Sequence, residues 1–251
     1  MNIYFNQEET LKDLVNKIDA LIKKGSIKSV SNNTNEFGYI IEKYLKLDNN
    51  SLPIPDYNGV EIKCRYKNSL FPFKLFSVSL DGDEPLAFQQ IFKKYSIEST
   101  NCYKSFNKTF FANRKTIISD ETSGKLMVDY KDEKVYLAFY NNGKINNCYY
   151  WTFKTLYDRL YLKLKCVFIV TYSVKYINWK KYYKIEGYNC YNLVGFDAFL
   201  GAIEKGKIYI NFSMQQREKE GIIKSHGPGF SIDYKNINCL FKEIKKPGTD
   251  L

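Results

Sequence analysis

Apolar residues near the N-terminus repeat with the period of an α-helix in two segments. The first segment, Asn6 to Gly25, opens with the capping-box-like pair Asn6 and Glu9 and keeps helical spacing until Gly25. The second segment runs from about Asn35 to Leu47. Both patterns predict amphipathic helices that bury one face against a core.

The pattern changes to a period of two after Gly59. Val60, Ile62, Cys64 and Tyr66 alternate with polar residues, which is typical of a half-buried strand. A second strand is predicted from Phe73 to Leu80, and a short helix is predicted to begin near Pro85.

Short β runs dominate the middle of the chain, at Thr109–Ala112, Thr116–Ser119, Lys125–Tyr130 and Lys134–Tyr140. They predict an antiparallel insert that ends at the turn of residues 141–144. Longer elements follow, namely a helix at Phe153–Leu164, a strand at Lys165–Lys175, a helix at Phe196–Lys205 and a strand at Lys207–Phe212. The order of elements predicts a mixed α/β fold with an inserted β subdomain.

Candidate chemistry is concentrated at the first predicted strand. Glu61 and Lys63 share one face of it, and a bend after Pro55 brings the Asp56 carboxylate back beside Glu61. Two carboxylates suit Mg²⁺, which keeps several waters and leaves room for phosphate oxygens. A neighbouring lysine holds or helps to deprotonate the attacking water and offsets charge on the phosphorus. The trio therefore indicates phosphodiester hydrolysis. The alternative is a plain surface strand, because this spacing is loose enough to arise by chance.

The flanking sequence favours the nuclease site over the plain surface strand. The trio resembles the PD-(D/E)XK nuclease signature, and the chain around it is similar to the N-terminal half of the MvaI/BcnI-type restriction endonucleases. The segments that carry this similarity are Gly38–Leu45, Asn49-Asn50, Leu52–Asp56, Gly59–Lys63, Lys74–Ser77 and Asp83–Pro85. A second segment, Ser225–Ile232, resembles the family's His-Gly-x-x-Phe-Arg-Ile segment, with Ser231 in the place of the arginine.

The resemblance implies the roles of further residues. The implied fold is a PD-(D/E)XK core with a mixed sheet flanked by helices. Glu42 would complete or orient the metal site, and Mg²⁺ would be bound by Asp56, Glu61 and the main-chain carbonyl of Ile62. The expected division is a catalytic core at 1–106, an inserted β subdomain at 107–147 that lines a DNA cleft, and the rest of the core with a recognition loop at 148–251.

Several polar residues are candidates for DNA contacts. His226 lies in the segment that reaches bases in the resembled family, and the residues before it form a polar sequence that we predict to be a loop. Glutamine pairs with adenine, and arginine or lysine pairs with guanine. The predicted contacts are His226, Arg217, Gln215 and Lys224, with Arg65 and Lys67 as phosphate contacts.

One further stretch, Lys175–Lys184, interleaves lysines with aromatic rings, as nucleic-acid surfaces often do. A half-buried strand with solvated lysines is the alternative, and we favour it.

Composition agrees with a nucleic-acid partner. The formal net charge of +11 implies an acidic partner, although abundant lysine also fits an AT-rich genome. A cationic membrane-binding protein is the alternative, but no apolar run approaches the roughly 18 residues of a membrane span, and no signal-peptide core is present. Six scattered cysteines, without any Cys-x-x-Cys pair, indicate reduced thiols in the cytoplasm.

The sequence therefore predicts a type II restriction endonuclease that cuts double-stranded DNA at a short, nearly palindromic site. The resemblance implies a monomer that uses Mg²⁺ and has a dedicated DNA methyltransferase as its genetic partner. Two alternatives stay open: a MutH-like or Sau3AI-like nuclease that nicks in repair or cuts another sequence, and a DNA-binding protein that keeps the fold without catalysis.

Overall fold

The computed structural model describes residues 6–31, 33, 35–47, 54–82, 84–100, 102–219, 221–225 and 227–244. The helices are α1 Gln7–Lys23, α2 Glu36–Tyr44, α3 Glu84–Tyr95, α4 Phe153–Leu164 and α5 Phe196–Glu204, with a 3₁₀-helix at Tyr234–Cys239. The strands are β1 Ile27–Lys28, β2 Glu61–Tyr66, β3 Phe73–Ser77, β4 Ile97–Ser99, β5 Cys102–Phe110, β6 Thr116–Ile117, β7 Thr122–Asp129, β8 Lys134–Asn141, β9 Lys144–Thr152, β10 Cys166–Ile177, β11 Lys180–Leu193, β12 Ile208–Gln216, β13 Ile223–Ser225, β14 Gly229–Ile232 and β15 Phe241–Ile244.

The chain forms two compact units. The first contains the predicted catalytic residues and is therefore called here the catalytic unit; it comprises Met1–Leu70, Tyr161–Val194 and Phe241–Leu251. The second, here called the β-rich unit, comprises Phe71–Leu160 and Gly195–Leu240. The domain boundaries predicted from the sequence stay a prediction, because these units group segments by contact and not by their role with DNA.

A mixed five-stranded sheet forms the centre of the catalytic unit. Its order is β1-β11-β10-β2, with β15 also paired to β11. Strands β10 and β2 are parallel, and the other pairs are antiparallel. This mixed sheet, with helices on it, confirms the predicted fold class.

Helices α1 and α2 cover one face of that sheet. The Asn6 side chain accepts a hydrogen bond from the Glu9 N–H and so caps α1, as predicted. The apolar stripe of α1 then packs against alternate residues of the strands, including Ile62, Phe168 and Val170. The opposite face of β2 is therefore the one that carries Glu61 and Lys63.

A buried carboxylate fixes the loop between β1 and α2. Glu36 is 3% exposed and accepts hydrogen bonds from Ser29 Oγ, the Val30 and Ser31 N–H groups and Tyr183 Oη, at 2.5, 2.6, 2.7 and 2.8 Å. Burial opposes its ionisation, but these hydrogen bonds outweigh burial and lower its pKa from 4.5 to about 2.

Replacement of Glu36 by glutamine is therefore expected to lower the free energy of unfolding at pH 7 by about 2–3 kcal/mol, because two N–H donors lose their charged acceptor. The stabilisation by ionised Glu36 is fully present above the unfolded pKa of about 4.5 and is lost as the pH falls towards 2. Urea unfolding at pH 7 and at pH 3 measures this, with a smaller cost expected at pH 3. Glu98→Gln, at an exposed carboxylate in β4, is the control. An equal cost at both pH values would contradict the explanation.

The β-rich unit contains two sheets. One has the order β3-β14-β12-β5-β4, with β13 paired to β12, and the other is the antiparallel sheet β6-β7-β8-β9.

The turn at Asn142-Gly143, predicted to end the β insert, instead joins β8 to β9. Both turn residues have positive φ, 46° and 80°, as a tight two-residue hairpin requires. Strand β9 was missed because its residues do not alternate clearly.

Among the described residues, no helix is long and apolar enough to cross a bilayer.

Candidate active site

A tight hairpin brings Asp56 back beside β2, which is called here the catalytic strand because it carries the predicted catalytic residues Glu61 and Lys63. Tyr57 and Val60 exchange main-chain hydrogen bonds of 3.0 and 2.8 Å around Asn58-Gly59, whose φ values are 40° and 82°. An Asn-Gly pair suits this turn because both positions need positive φ. As a result, Asp56 lies beside the start of β2, and its Oδ2 accepts the Ile62 N–H at 2.9 Å. The bend predicted after Pro55 is this hairpin.

Glu61 is the buried carboxylate of the cluster. It is 1% exposed, and its Oε1 contacts both the Lys63 ammonium and Lys163 Nζ, the latter at 3.3 Å. Burial raises the pKa of Glu61, Lys63 opposes that effect, and the nearby Asp56 charge adds to it. Its second oxygen, Oε2, is buried without a hydrogen-bond partner among the described residues. A buried carboxylate oxygen of this kind is costly unless a cation or donor reaches it.

Glu42, on α2, belongs to the same electrostatic cluster. It is half-buried, and burial together with the Asp56 charge raises its pKa, while Lys63 opposes the shift. The charges of Glu42 and Asp56 also act on the Cys64 thiol: burial first, and then these two carboxylates, raise its pKa to about 12. Negative charge therefore accumulates where α2, the hairpin and β2 meet.

The donor set fits a hard divalent cation that retains waters. No group of three or more His, Cys, Asp or Glu side chains with metal-binding geometry occurs in the described part of the chain. Two carboxylates and a main-chain carbonyl nevertheless match the way Mg²⁺ is bound, with water in the remaining positions. Glu61 Oε2 supplies an oxygen without a partner among the described residues.

The Ile62 carbonyl is also well placed for a cation. Strand β2 lies at the edge of its sheet as far as the structure describes it. The N–H and C=O of one residue in a strand point to the same side, and the Ile62 N–H points to Asp56 and away from β10. Its carbonyl therefore faces the open edge, beside the Asp56 carboxylate.

A family model, the MvaI/BcnI restriction endonuclease family, matches residues 15–241. The chain belongs to this family. It is therefore a type II site-specific restriction endonuclease that acts on DNA, as the sequence predicted.

Solved structures agree on the fold. The restriction endonuclease MvaI in complex with its cognate DNA substrate is 23% identical and matches with a TM-score of 0.82, over 94% of this chain and 98% of that one. MvaI in the absence of DNA is 22% identical and matches with a TM-score of 0.60, over 94% and 97%. A search of curated protein sequences gave no match. These structural matches show that the MvaI/BcnI fold extends over nearly the whole chain.

Sequence reasoning missed Lys163. This residue of the MvaI/BcnI enzyme lies in the last turn of α4, and its ammonium reaches Glu61 Oε1. The register of the parallel strands explains the contact: Val167, four residues after Lys163, lies beside Glu61. Only a known pairing of β2 with β10 would have shown it, because the two residues are far apart in sequence.

Loss of the Lys163 side chain is expected to reduce the cleavage rate at saturating DNA about 10²-fold, because Glu61 would lose one of two cations that hold Oε1. Lys163→Arg should restore part of the rate, and Lys165→Ala, at an exposed neighbour, should leave it unchanged. Single-turnover cleavage is the measurement. A wild-type rate for Lys163→Ala would remove this residue from the site.

The two phosphate-contact candidates near the strand lie at its C-terminal end. Arg65 Nη1 and Nη2 donate to the carbonyls of Lys67 and Ser69 at 3.1 and 2.8 Å, which shapes the turn after β2. Lys67 is exposed, and its main-chain N–H donates to the Tyr172 carbonyl. Both residues lie in the catalytic unit, and their role as phosphate contacts stays a prediction.

The other DNA-contact candidates lie in the β-rich unit. Gln215, predicted in a loop, is in β12 and pairs with Lys224 of β13. The loop prediction was wrong for Gln215 and Lys224, because polar residues on the solvent face of β12 alternate with buried Phe212 and Met214 and so form a strand that pairs with β13. Gln215 and Lys224 are exposed, as is Arg217 just beyond β12. They form a polar edge, and their contacts with bases stay a prediction.

Of the two positions of interest in the Ser225–Ile232 segment, His226 and Ser231, the structure describes only Ser231. His226 lies outside the described residues, as do residues 48–53 and Asp83 of the N-terminal similarity. Ser231, in the place of the family arginine, is 3% exposed and accepts a hydrogen bond from Asn211 Nδ2. A buried serine held in the sheet does not present a donor to a base, so another residue must supply any contact the arginine made.

Proposed function

We propose that this MvaI/BcnI-family enzyme hydrolyses phosphodiester bonds of duplex DNA with Mg²⁺. In this proposal Asp56, Glu61 and the Ile62 carbonyl hold the ion. The observation that supports it best is the buried Glu61, whose Oε1 contacts two lysines while its Oε2 has no partner among the described residues. When bound, Mg²⁺ would polarise the phosphate and lower the pKa of a water.

The side chains around the ion would have separate tasks. Lys63 contacts Glu61 and, as an ammonium, donates hydrogen bonds, so we assign it to holding the attacking water and offsetting charge on the phosphoryl oxygens. Asp56 is fixed by the Ile62 N–H and so meets the ion with one orientation. Glu42 would orient the water shell at the edge of the cluster. Lys163 would position Glu61.

We also propose an oligomeric state, a genetic partner and a location for this enzyme. A monomer with one such centre would cut the two strands of a short, nearly palindromic site one after the other. Host DNA contains the same short sequence, so a cognate DNA methyltransferase would have to protect it. The six cysteines carry free thiols, which suits the reducing cytoplasm.

Incubation with long duplex DNA in Mg²⁺, followed by sequencing of the fragment ends, tests the proposal. Ends on both strands that share a short motif are expected, with no cleavage in EDTA. Cuts confined to one strand would favour a MutH-like nicking enzyme. Intact DNA, with duplex binding confirmed separately, would instead favour a fold that has lost catalysis.

A further inference from the structure

The central sheet of the catalytic unit continues beyond the catalytic strand as a hairpin. Strand β2 ends at Tyr66, which lies beside Tyr172, whereas β10 continues to Ile177 and the chain returns as β11 from Lys180. At about 3.3 Å per residue, Ile177 lies about 17 Å past the end of β2. The segment Ser173–Lys184 is called here the projecting hairpin.

One face of the projecting hairpin is continuous with the face of the active site. Paired residues of neighbouring strands point to the same side of a sheet. Ile169 therefore lies on the same face as its partner Lys63, and Thr171 lies on the same face as its partner Arg65. The alternation continues through the projecting hairpin, which places Ser173, Lys175, Ile177, Lys180, Tyr182 and Lys184 on that face. This row is buried at Ile169 and exposed at Lys175, Ile177, Lys180 and Lys184, whereas Tyr182 is half-buried.

The cations of this row are available to a ligand. Lys175 and Lys180 are exposed, and within the described part of the chain neither has an ion pair or a hydrogen bond from its side chain. Lys184 differs, because its Nζ lies 3.3 Å from Glu186. Lys181 points to the opposite face, where it lies 3.9 Å from the buried Glu36.

The tip of the projecting hairpin exposes two aromatic rings and an isoleucine at a strained turn. Trp179 is 100% exposed, Tyr176 is 69% exposed and Ile177 is 46% exposed. Asn178 and Trp179 both have positive φ, 48° and 61°. Asparagine tolerates this conformation, but a tryptophan there costs about 1–2 kcal/mol and gains no burial in return. The indole therefore does not serve the stability of the fold.

We propose that the projecting hairpin is a second DNA contact, which binds the backbone of the duplex outside the recognised sequence. This rests on the proposed function. Lys175 and Lys180 would neutralise phosphates, and the Trp179 ring at the tip would lie against the duplex. A β-ribbon is narrow enough to enter or follow a groove of B-DNA, and aromatic rings beside cations suit nucleic acid.

The position of the row sets the distance from the cut. Lys175 is six residues beyond Ile169, the neighbour of Lys63, which corresponds to about 20 Å along the strand. A duplex laid along that direction advances about six base pairs over this length, at about 3.4 Å per pair. We therefore expect the contact to matter only for DNA that extends more than about six base pairs from the scissile bond.

Binding to short and long duplexes tests the proposal. Affinities are measured in Ca²⁺ for duplexes whose flanks extend about 3 or about 12 base pairs from the cut. The wild type should bind the long duplex about tenfold more tightly, and Lys175→Gln/Lys180→Gln should lose this gain and about two units of the salt slope. The matched control is Lys12→Gln/Lys23→Gln on α1, which packs on the other face of the sheet. This control variant should still bind the long duplex about tenfold more tightly than the short one. Equal flank dependence of wild type and hairpin variant would overturn the proposal.

Tryptophan fluorescence provides a direct second measurement. The chain has two tryptophans, of which Trp151 is fully buried and Trp179 fully exposed. Acrylamide should quench Trp179 in the free enzyme and much less in the long-duplex complex, and Trp179→Phe should lack this quenchable emission. Unchanged quenching on long duplex, or protection only by anionic vesicles, would overturn the contact. A wild type that cuts DNA but shows no protection rejects this inference alone, whereas absence of both cleavage and duplex binding rejects the proposed function.

Discussion

Lys63→Ala is expected to lower the single-turnover cleavage rate at least about 10³-fold. The ammonium that contacts Glu61 would no longer hold the attacking water or offset charge on the phosphoryl oxygens. Specific binding of duplex DNA in Ca²⁺ should change little, because the role proposed for Lys63 is in the chemical step and not in base contacts. The measurements are rapid-quench cleavage in Mg²⁺ and affinity in Ca²⁺ on the same duplex.

Two controls separate chemistry from folding in this experiment. Loss of Lys63 leaves the buried Glu61 with Lys163 as its remaining cation, so a lower melting temperature is expected. Retained binding in Ca²⁺ shows that the variant is folded at the assay temperature. Lys24→Ala, at an exposed lysine just after α1, should cleave normally. Cleavage by Lys63→Ala at the wild-type rate would show that the site is assigned to the wrong residues.

Glu61→Gln is expected to abolish cleavage while the protein becomes no less stable. The amide keeps the shape of the side chain but removes the charge that would bind Mg²⁺, so both divalent-ion binding and activity should fall by more than about 10³-fold. Burial raises the pKa of Glu61, which means that its ionised form is held at a cost to the fold. Removal of this charge should therefore maintain or raise the melting temperature at pH 7.

Divalent-ion titration by calorimetry, thermal unfolding and cleavage assays measure these effects together. A purely structural Glu61, retained for its contacts with Lys63 and Lys163, would show the opposite pattern of lower stability with normal cleavage. Asp56→Asn is the matched variant at the other proposed carboxylate ligand, which is exposed. Loss of cleavage is expected there with little change in stability.

The catalytic strand could be predicted from sequence because each of its features is local. Alternation from Val60 onward gives the strand, Asn58-Gly59 gives the hairpin, and two-residue spacing places Glu61 and Lys63 on one face. The N-cap of α1 is local in the same way. The spacing alone could have arisen by chance, and only the resemblance to the MvaI/BcnI family favoured a nuclease site over a plain surface strand.

The missed features depend on pairings between distant segments. Lys163 meets Glu61 only because β10 lies parallel to β2, and no local pattern encodes that neighbour. Gln215 is in a strand because β5 and β13 flank β12, although its sequence resembles a loop. The Lys175–Lys184 stretch forms parts of two strands and the turn between them. The favoured interpretation of a half-buried strand fits its second part, where Tyr183 is 2% exposed, but not residues 175–180, which are all exposed. The alternating pattern of the stretch shows two faces but does not show that the strands extend past their neighbour.

The most direct test of the central claim is the position of a bound cation. Crystals of the enzyme soaked in Mn²⁺, which replaces Mg²⁺ and scatters anomalously, locate that ion in electron density. An anomalous peak is expected within about 2.5 Å of Asp56, of Glu61 Oε2 and of the Ile62 carbonyl oxygen. A peak held by other residues, in crystals of enzyme that Mn²⁺ activates, would contradict the assignment of these three ligands.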